Sequence, residues 1–393
     1  MPVTDRIEVQ PGEARIPASA AGEGEERFLT RPLSVLLDFA RFGAALLVVV
    51  GHSVQLHLYT GPFPFSGRLQ HYCVIVFFVL SGLVISTSVL GGRSSLARYT
   101  LARVSRIVPV AVPALVFAAL AAYVLAGPMH VRIDNSPDDP LLFAERILPP
   151  LAFVSAWPGM PAPVWNPPYW SLCYEVWYYV IFALAWFLRG WARALALIVA
   201  CFTAGGAILL LMPVWLIGVA LTHVPPARRL PLSVAPILLA ASILGAFALF
   251  EVDREVLNPL LRKVWFADPK WSAWAFSDFA MGLVMAAAAI ALRPLAGLFE
   301  RAIMATKPLA HGLAGFSFTL YLFHWPLIQL MRSWGLEAGA SVPAFATLLV
   351  LVVALCALIS ILTERQTLHL RRWMEARFLK LRAKSAGSGA VVV

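Results

Sequence analysis

Residues 348–355, Leu-Leu-Val-Leu-Val-Val-Ala-Leu, are apolar at every position, and so are residues 46–50, Leu-Leu-Val-Val-Val. A strand of a membrane barrel would alternate apolar and polar side chains, so these uninterrupted stretches favour helices. The chain of 393 residues is 60% hydrophobic and only 13% charged, whereas a soluble domain carries about 25% charged residues. We therefore predict an all-α, polytopic transmembrane helical bundle.

Apolar stretches recur along the chain at close to the length of a membrane span, about 20 residues. About ten spans are predicted. They cover residues 35–56, 70–90, 107–126, 169–188, 193–211, 212–222, 231–250, 273–292, 313–333 and 342–363. The sixth is too short to cross alone, and Pro213 is expected to begin a broken or re-entrant segment there. The proline-rich loop 127–168 is expected to hold an interfacial helix at 141–157.

The basic residues are distributed unevenly between the two sides of this predicted topology. With the N-terminus inside, 22 of the 31 Lys and Arg residues fall in inner segments and 7 in outer loops. This bias predicts that both termini are cytoplasmic. The chain then divides into a disordered N-terminal tail, 1–30, a membrane domain, 31–365, and a basic C-terminal tail, 366–393.

Composition also argues against a nucleic-acid-binding site and against a metal cluster. The net charge of +10 arises in short loops and tails, so topology explains it better than a nucleic-acid partner does. The 4 cysteines lie in apolar stretches without paired spacing, which predicts small buried side chains and no metal cluster.

Ionisable residues within spans are costly and indicate function by default. Arg41 and His52 are eleven residues apart, nearly three helical turns, so they share one face about 16 Å apart along the axis. Glu175 lies about two turns into the fourth span, which enters from outside. We predict that it lies level with His52 and forms a general-base pair with it. The structural alternative is that Arg41 pairs with Asp38 and His52 bonds another helix.

Three further patterns lie in or beside the spans. Arg103 and Arg106, three residues apart, share a helix face suited to phosphates, although any cytoplasmic loop is basic. The small residues Ser81 and Gly82 indicate close helix packing. His324 precedes a proline that frees a backbone carbonyl, so it either lines a substrate path or bonds that carbonyl.

Together these patterns resemble the acyltransferase 3 family of integral membrane acyltransferases, and they occur in the family's order between about residues 34 and 365. The residues that carry the resemblance are Arg41 with His52, Phe77-Phe78-Val-Leu-Ser81-Gly82, Arg103-Val-Ser-Arg106-Ile-Val-Pro109, Trp170-Ser-Leu-Cys-Tyr-Glu175 and Tyr321-Leu-Phe-His324-Trp-Pro326. The ending departs from the family pattern, because Gln366 follows Thr363-Glu364-Arg365 where a proline is common.

The resemblance implies transfer of an acyl group, often acetyl from acetyl-CoA, to a hydroxyl of a glycan or lipid-linked sugar, in the bacterial cytoplasmic (inner) membrane. His52 would act as the base with Glu175. Arg41 or Ser81 would stabilise the oxyanion or position the donor.

Acyl-CoA would bind at Arg103, Arg106 and Ser81, and Trp170, Tyr174 and His324 would line the substrate path. A covalent acyl-His52 route stays open. The main alternative is a membrane transporter or flippase, because buried charges also mark permeation paths. A non-catalytic membrane sensor is a third possibility.

Overall fold

The computed structural model describes residues 28–64, 68–90, 94–122, 140–157, 159–160, 162–163, 165–224, 230–252, 260 and 270–388. These residues form helices, turns and loops but no strand, so the predicted all-α class is confirmed for them. The helices are α1 (Arg31–Gln55), α2 (Leu69–Val89), α3 (Leu96–Leu120), α4 (Pro140–Leu151), α5 (Trp170–Phe187), α6 (Gly190–Ala204), α7 (Gly206–Leu221), α8 (Ala235–Val252), α9 (Ala275–Leu298), α10 (Glu300–Ala305), α11 (Lys307–Ala314), α12 (Ser317–Ser333), α13 (Val342–Leu362) and α14 (Thr367–Ser388).

Among the described residues, five helices are long and apolar enough to cross a membrane. They are α1, α2, α3, α9 and a 37-residue helical stretch, Val342–Phe378, that begins with α13. Helices α6 and α7 would count as one further span if taken together, but a bend of 115° separates them. The break predicted at Pro213 lies instead at Gly205, because Gly205 adopts φ +82° and ψ 164°, a conformation open essentially to glycine alone.

The relative directions of the helices are those that the predicted alternation of spans requires. Asp38 contacts His311, just before α12, and His52 contacts His324, so α1 and α12 run in parallel. At the other end of α1, Gln55 accepts a hydrogen bond from Gln70 at the start of α2, which makes that pair antiparallel.

Helices α2 and α7 approach each other through glycines. A Cβ on Gly82 would lie 2.1 Å from the carbonyl oxygen of Trp215, and one on Gly218 would lie 2.0 Å from that of Val79. The backbones are therefore in direct contact, as small residues in membrane helices allow. This confirms the packing role predicted for the Ser81-Gly82 pair.

One prediction about the flanking regions changes. The interfacial helix expected at 141–157 ends at Leu151 as α4. The basic C-terminal tail forms the helix α14 through Ser388 and packs against α3. Most of the N-terminal tail, residues 1–27, lies outside the described residues.

Candidate active site

A narrow cavity of about 70 Å³ lies among α1, α2, α3, α5 and α12. Its polar lining residues are Arg41, Ser81, Arg103, Arg106, Ser171, Glu175, Tyr179, Ser317 and Tyr321. Three guanidinium groups and one carboxylate line this space, and the carboxylates of Asp38 and Glu364 also interact electrostatically with Arg41.

Helix α3 brings two arginines to the cavity from one face. Arg103 and Arg106 both line it, so the shared face predicted from their spacing is confirmed. The guanidinium carbon of Arg103 lies 5.6 Å from the Tyr99 ring centroid and 5.8 Å from that of Tyr179, at distances of cation–π attraction. The Tyr99 hydroxyl also donates to the Tyr179 carbonyl at 3.2 Å, which holds α3 against α5.

A chain of hydrogen bonds ends on the Glu175 carboxylate. Trp215 Nε1 donates to the Ser81 hydroxyl at 3.2 Å, and that hydroxyl lies 3.1 Å from the Tyr179 hydroxyl. The Tyr179 hydroxyl in turn donates to Glu175 Oε1. Because an ionised carboxylate only accepts, every donor in the chain points towards Glu175. Ser81 is thereby held as part of the cavity wall.

His52 and His324 form a direct pair that joins α1 to α12. His52 Nδ1 lies 2.8 Å from His324 Nε2, and the rings are nearly coplanar, with centroids 5.1 Å apart and an interplanar angle of 3°. The other nitrogen of the buried His324 ring, Nδ1, lies 3.1 Å from the Leu320 carbonyl oxygen. The Trp325 ring packs against His52 in an edge-on arrangement, with ring centroids 4.8 Å apart.

Comparison with protein-family models identifies the chain's family. Residues 35–361 match a family model described as an acyltransferase domain. The chain belongs to the acyltransferase 3 family. The resemblance seen in the five sequence motifs is thus confirmed, and the protein is a membrane-type acyltransferase. No curated protein and no solved structure matches it.

The acyltransferase does not form the predicted direct pair of His52 and Glu175. Among the described residues, the side chain of His52 hydrogen-bonds His324, and that of Glu175 hydrogen-bonds Tyr179 and faces the cavity that Arg41 lines. The depth estimate assumed that the fourth span begins at the membrane surface.

Instead, α5 begins inside the protein, which places Glu175 with the arginines. A short 3₁₀ turn, Pro167–Tyr169, precedes α5. The residue before that turn, Asn166, is fully buried and donates to the Leu322 carbonyl at 3.0 Å. The Tyr321 hydroxyl donates to the Pro168 carbonyl at 2.9 Å. The start of α5 is thus anchored against α12.

The two aromatic residues predicted on the substrate path have different surroundings. Trp170 lines a second cavity of about 300 Å³. Tyr174 is fully buried, its ring packs edge-on against Trp170 at 5.1 Å, and it lines neither cavity. Tyr174 is therefore a core residue here. Tyr174 lies one turn beyond Trp170 on the same helix, so the sequence alone predicted the same role for both residues.

The acyltransferase also holds a buried ionisable pair that the sequence analysis did not select. His71 Nε2 lies 2.9 Å from each carboxylate oxygen of Asp278, and the Asp278 side chain is fully buried. Both residues fall inside predicted apolar spans, so the rule applied to His52 and Glu175 would have found them. The pair links the start of α2 to the start of α9.

Metal ligation has no support in the described part of the chain. No group of three His, Cys, Asp or Glu side chains lies close enough to hold a metal ion among those residues.

Proposed function

We propose that this acyltransferase moves an acyl group, in the first place acetyl, from acyl-CoA to a hydroxyl of a surface or secreted polysaccharide. The observation that carries the proposal is the cavity in which Arg41, Arg103 and Arg106 converge, together with the His52–His324 pair. The first feature suits an anionic donor and the second suits proton abstraction from a hydroxyl.

The arginines support a donor that carries phosphates. A guanidinium binds phosphate oxygens through two parallel N–H groups, which an ammonium does not do. Arg41, Arg103 and Arg106 line the cavity together with the carboxylate of Glu175. In a low-dielectric wall each guanidinium attracts an anion more strongly than it would in water. Coenzyme A supplies both the phosphates and, at the end of its narrow pantetheine arm, the thioester.

The hydrogen bonds around His324 support a base role for His52. The Leu320 carbonyl can only accept, so for two neutral rings His324 Nδ1 carries the hydrogen and His324 Nε2 is an acceptor. His52 Nδ1 must then donate to His324 Nε2, which leaves the lone pair on His52 Nε2. This tautomer is assigned from the network, in the same way that a carboxylate orients the base of a catalytic triad.

The proposed reaction balances without an added reagent. His52 Nε2 takes the proton of the acceptor hydroxyl as its oxygen attacks the thioester carbonyl. Arg41 lies nearly three helical turns from His52 along α1, so its proposed role is to position the acyl-CoA donor in the arginine cavity. The carbon–sulfur bond then breaks, and the proton passes from His52 to the departing sulfur, which yields the ester and the CoA thiol.

Purified protein in lipid nanodiscs tests this proposal through two coupled readouts. Acetyl-CoA should be consumed with release of one thiol for each acetyl ester formed on the glycan. In cells that lack the protein, the surface glycan should lose acetyl groups, as measured by mass spectrometry. A transporter or flippase would release no thiol. Thiol release without ester on any glycan, in the presence of total cell-envelope polysaccharide, would refute the acceptor class.

The proposed location is the bacterial cytoplasmic (inner) membrane, with both termini in the cytoplasm. The charge bias between inner and outer segments supports that orientation. It also delivers Arg103 and Arg106 to the side on which acyl-CoA is made.

A further inference from the structure

The second cavity, of about 300 Å³, lies on the other side of the start of α5 from the arginine cavity. Its described lining residues are Ser155, Met160, Ala162, Pro163, Pro167, Trp170 and Trp271. Trp170 lines this cavity, whereas the next residue, Ser171, lines the arginine cavity. The volume falls at the lower end of small-molecule sites, roughly 300–1,000 Å³.

The indole rings of this cavity are held rigidly. Trp170 and Trp271 are stacked, with centroids 5.6 Å apart and an interplanar angle of 12°. Trp271 is followed by the fully buried Ser272, whose hydroxyl donates to the Ala207 carbonyl at 2.6 Å. A rigid aromatic wall loses little conformational entropy when a ligand binds.

Behind this wall lies the buried His71–Asp278 pair. The His71 ring is stacked on Trp170, with centroids 5.7 Å apart and an interplanar angle of 14°, and Trp274 packs edge-on against His71 at 4.9 Å. Burying a carboxylate and an imidazole among apolar helices is costly unless they pair, and here the pair fixes the position of the Trp170 ring.

The cavity lies at the level of the proposed base. A Cβ on Gly51 would lie 2.6 Å from Gln70 Oε1, so α1 and α2 touch one residue before His52 and one residue before His71. The hydroxyls of Ser171 and Tyr321 are 2.8 Å apart, and Tyr321 is one turn before His324. The start of α5 is thus attached to α12, the helix that carries His324 of the histidine pair.

We propose that this cavity is the acceptor subsite and that it holds one pyranose ring of the glycan. The C–H face of a pyranose carries partial positive charge and packs on the negative face of an indole. A lipid chain fits less well, because the described lining contains no Leu, Ile or Val, whereas the exposed outer faces of α6 and α13 are rich in them. This inference rests on the proposed function for the reaction and names the site at which its acceptor binds.

Photolabelling tests the site without depending on turnover. The probes are the methyl glycosides of glucose, galactose and N-acetylglucosamine, each carrying a diazirine. At least one should label the peptides containing Trp170 or Trp271 in the full-length protein in nanodiscs. Trp271→Ala should reduce that labelling about fivefold, and Trp271→Tyr should restore most of it, since the aromatic face returns.

The control substitution is Trp186→Ala, which removes another stacked and partly exposed indole, 5.8 Å from Phe182, far along α5. It should leave the labelling unchanged. Absence of labelling at this cavity with all three probes, or labelling that survives Trp271→Ala, overturns the proposal. Equal competition by octyl sulfonate, which has no sugar, overturns it in favour of an alkyl-chain site.

Acetyl-CoA binding, measured in parallel, separates this proposal from the function it rests on. Trp271→Ala should bind radiolabelled acetyl-CoA as the unchanged protein does, because Trp271 does not line the arginine cavity. If the unchanged protein binds no acetyl-CoA, the proposed donor is wrong, while the labelling pattern still decides whether a sugar site exists.

Discussion

The orientation of the His52 ring depends on a single backbone carbonyl one helix away. His324 Nδ1 faces the Leu320 carbonyl at 3.1 Å, and this contact sets the direction of the hydrogen bond between the two rings. A carbonyl cannot change its role with pH, unlike a carboxylate, so it keeps the same His52 nitrogen free. His324 therefore orients the His52 ring through a hydrogen bond, without the negative charge that a carboxylate partner would carry.

His52→Ala is expected to reduce acetyl transfer by about 10²–10⁴-fold, because it removes the proposed general base. Acetyl-CoA binding should change little, since His52 does not line the arginine cavity. Transfer rates are compared at equal protein levels in nanodiscs. The control is His57→Asn: His57 is exposed and adopts φ 57°, a backbone conformation that Asn tolerates, so its activity should be retained. Near-normal transfer by His52→Ala would remove His52 from the mechanism.

A double-mutant cycle tests whether His52 and His324 act as one unit. His324→Ala should lower the rate of transfer, and adding it to His52→Ala should cost little more, because linked groups are not additive. The same cycle with His52 and Glu175 should show nearly independent losses, since their side chains bond different partners. Multiplicative losses for the histidine pair would show that His324 is structural only.

At the level of the helices, α3 presents two guanidiniums to the cavity from one side. Arg103→Glu with Arg106→Glu is expected to weaken acetyl-CoA binding by at least about tenfold, because attraction of the phosphates becomes repulsion. Lys at both positions should restore part of the affinity, since a point charge replaces a planar fork. Arg98→Glu, on the same helix but outside the cavity lining, is the control. Equal affinity in the double Glu variant would leave the two arginines with a topological role alone.

The contact between α2 and α7 has no room for a methyl group. Gly82→Ala would place a Cβ against the Trp215 carbonyl oxygen, which belongs to a helix backbone and cannot rotate away. We expect a loss of about 1–3 kcal/mol or more in stability, seen as a lower midpoint of thermal unfolding or aggregation. Gly43→Ala, on α1 with nothing within 4 Å, should leave the midpoint unchanged or raise it. Equal midpoints for the two variants would contradict the close approach.

For the whole molecule, the directions of the helices predict which turns share a side of the membrane. The turn at Gly205 and the loop after α1 should face the same side, and Glu300 the opposite one. Single cysteines at Thr203, Thr60 and Glu300, in a background with Cys201→Ser, are labelled with an impermeant maleimide in intact cells and in inverted vesicles. The positions 203 and 60 should react from one side only and position 300 from the other. Labelling of 203 and 300 from the same side would contradict this arrangement. If 203 reacts from neither side, α6 and α7 form one span with the bend inside the membrane.

The amino-acid sequence by itself determines that this protein is a helical bundle in a membrane, because apolar stretches in lipid must satisfy their backbone bonds internally. It also determines which residues are candidates, since an ionisable side chain in such a stretch is visible without a structure. Arg41 is identified in this way, whereas Arg103 and Arg106 are identified by their spacing in a basic inner loop, and all three line one cavity.

Only the tertiary structure decides which candidates face each other. Periodicity places a residue on a face of its own helix, but the depth of that helix depends on what its ends bond to. The start of α5 is held inside the bundle by Asn166 and the Leu322 carbonyl, so Glu175 meets the arginines. His52 is left to His324, a partner 272 residues away in the chain.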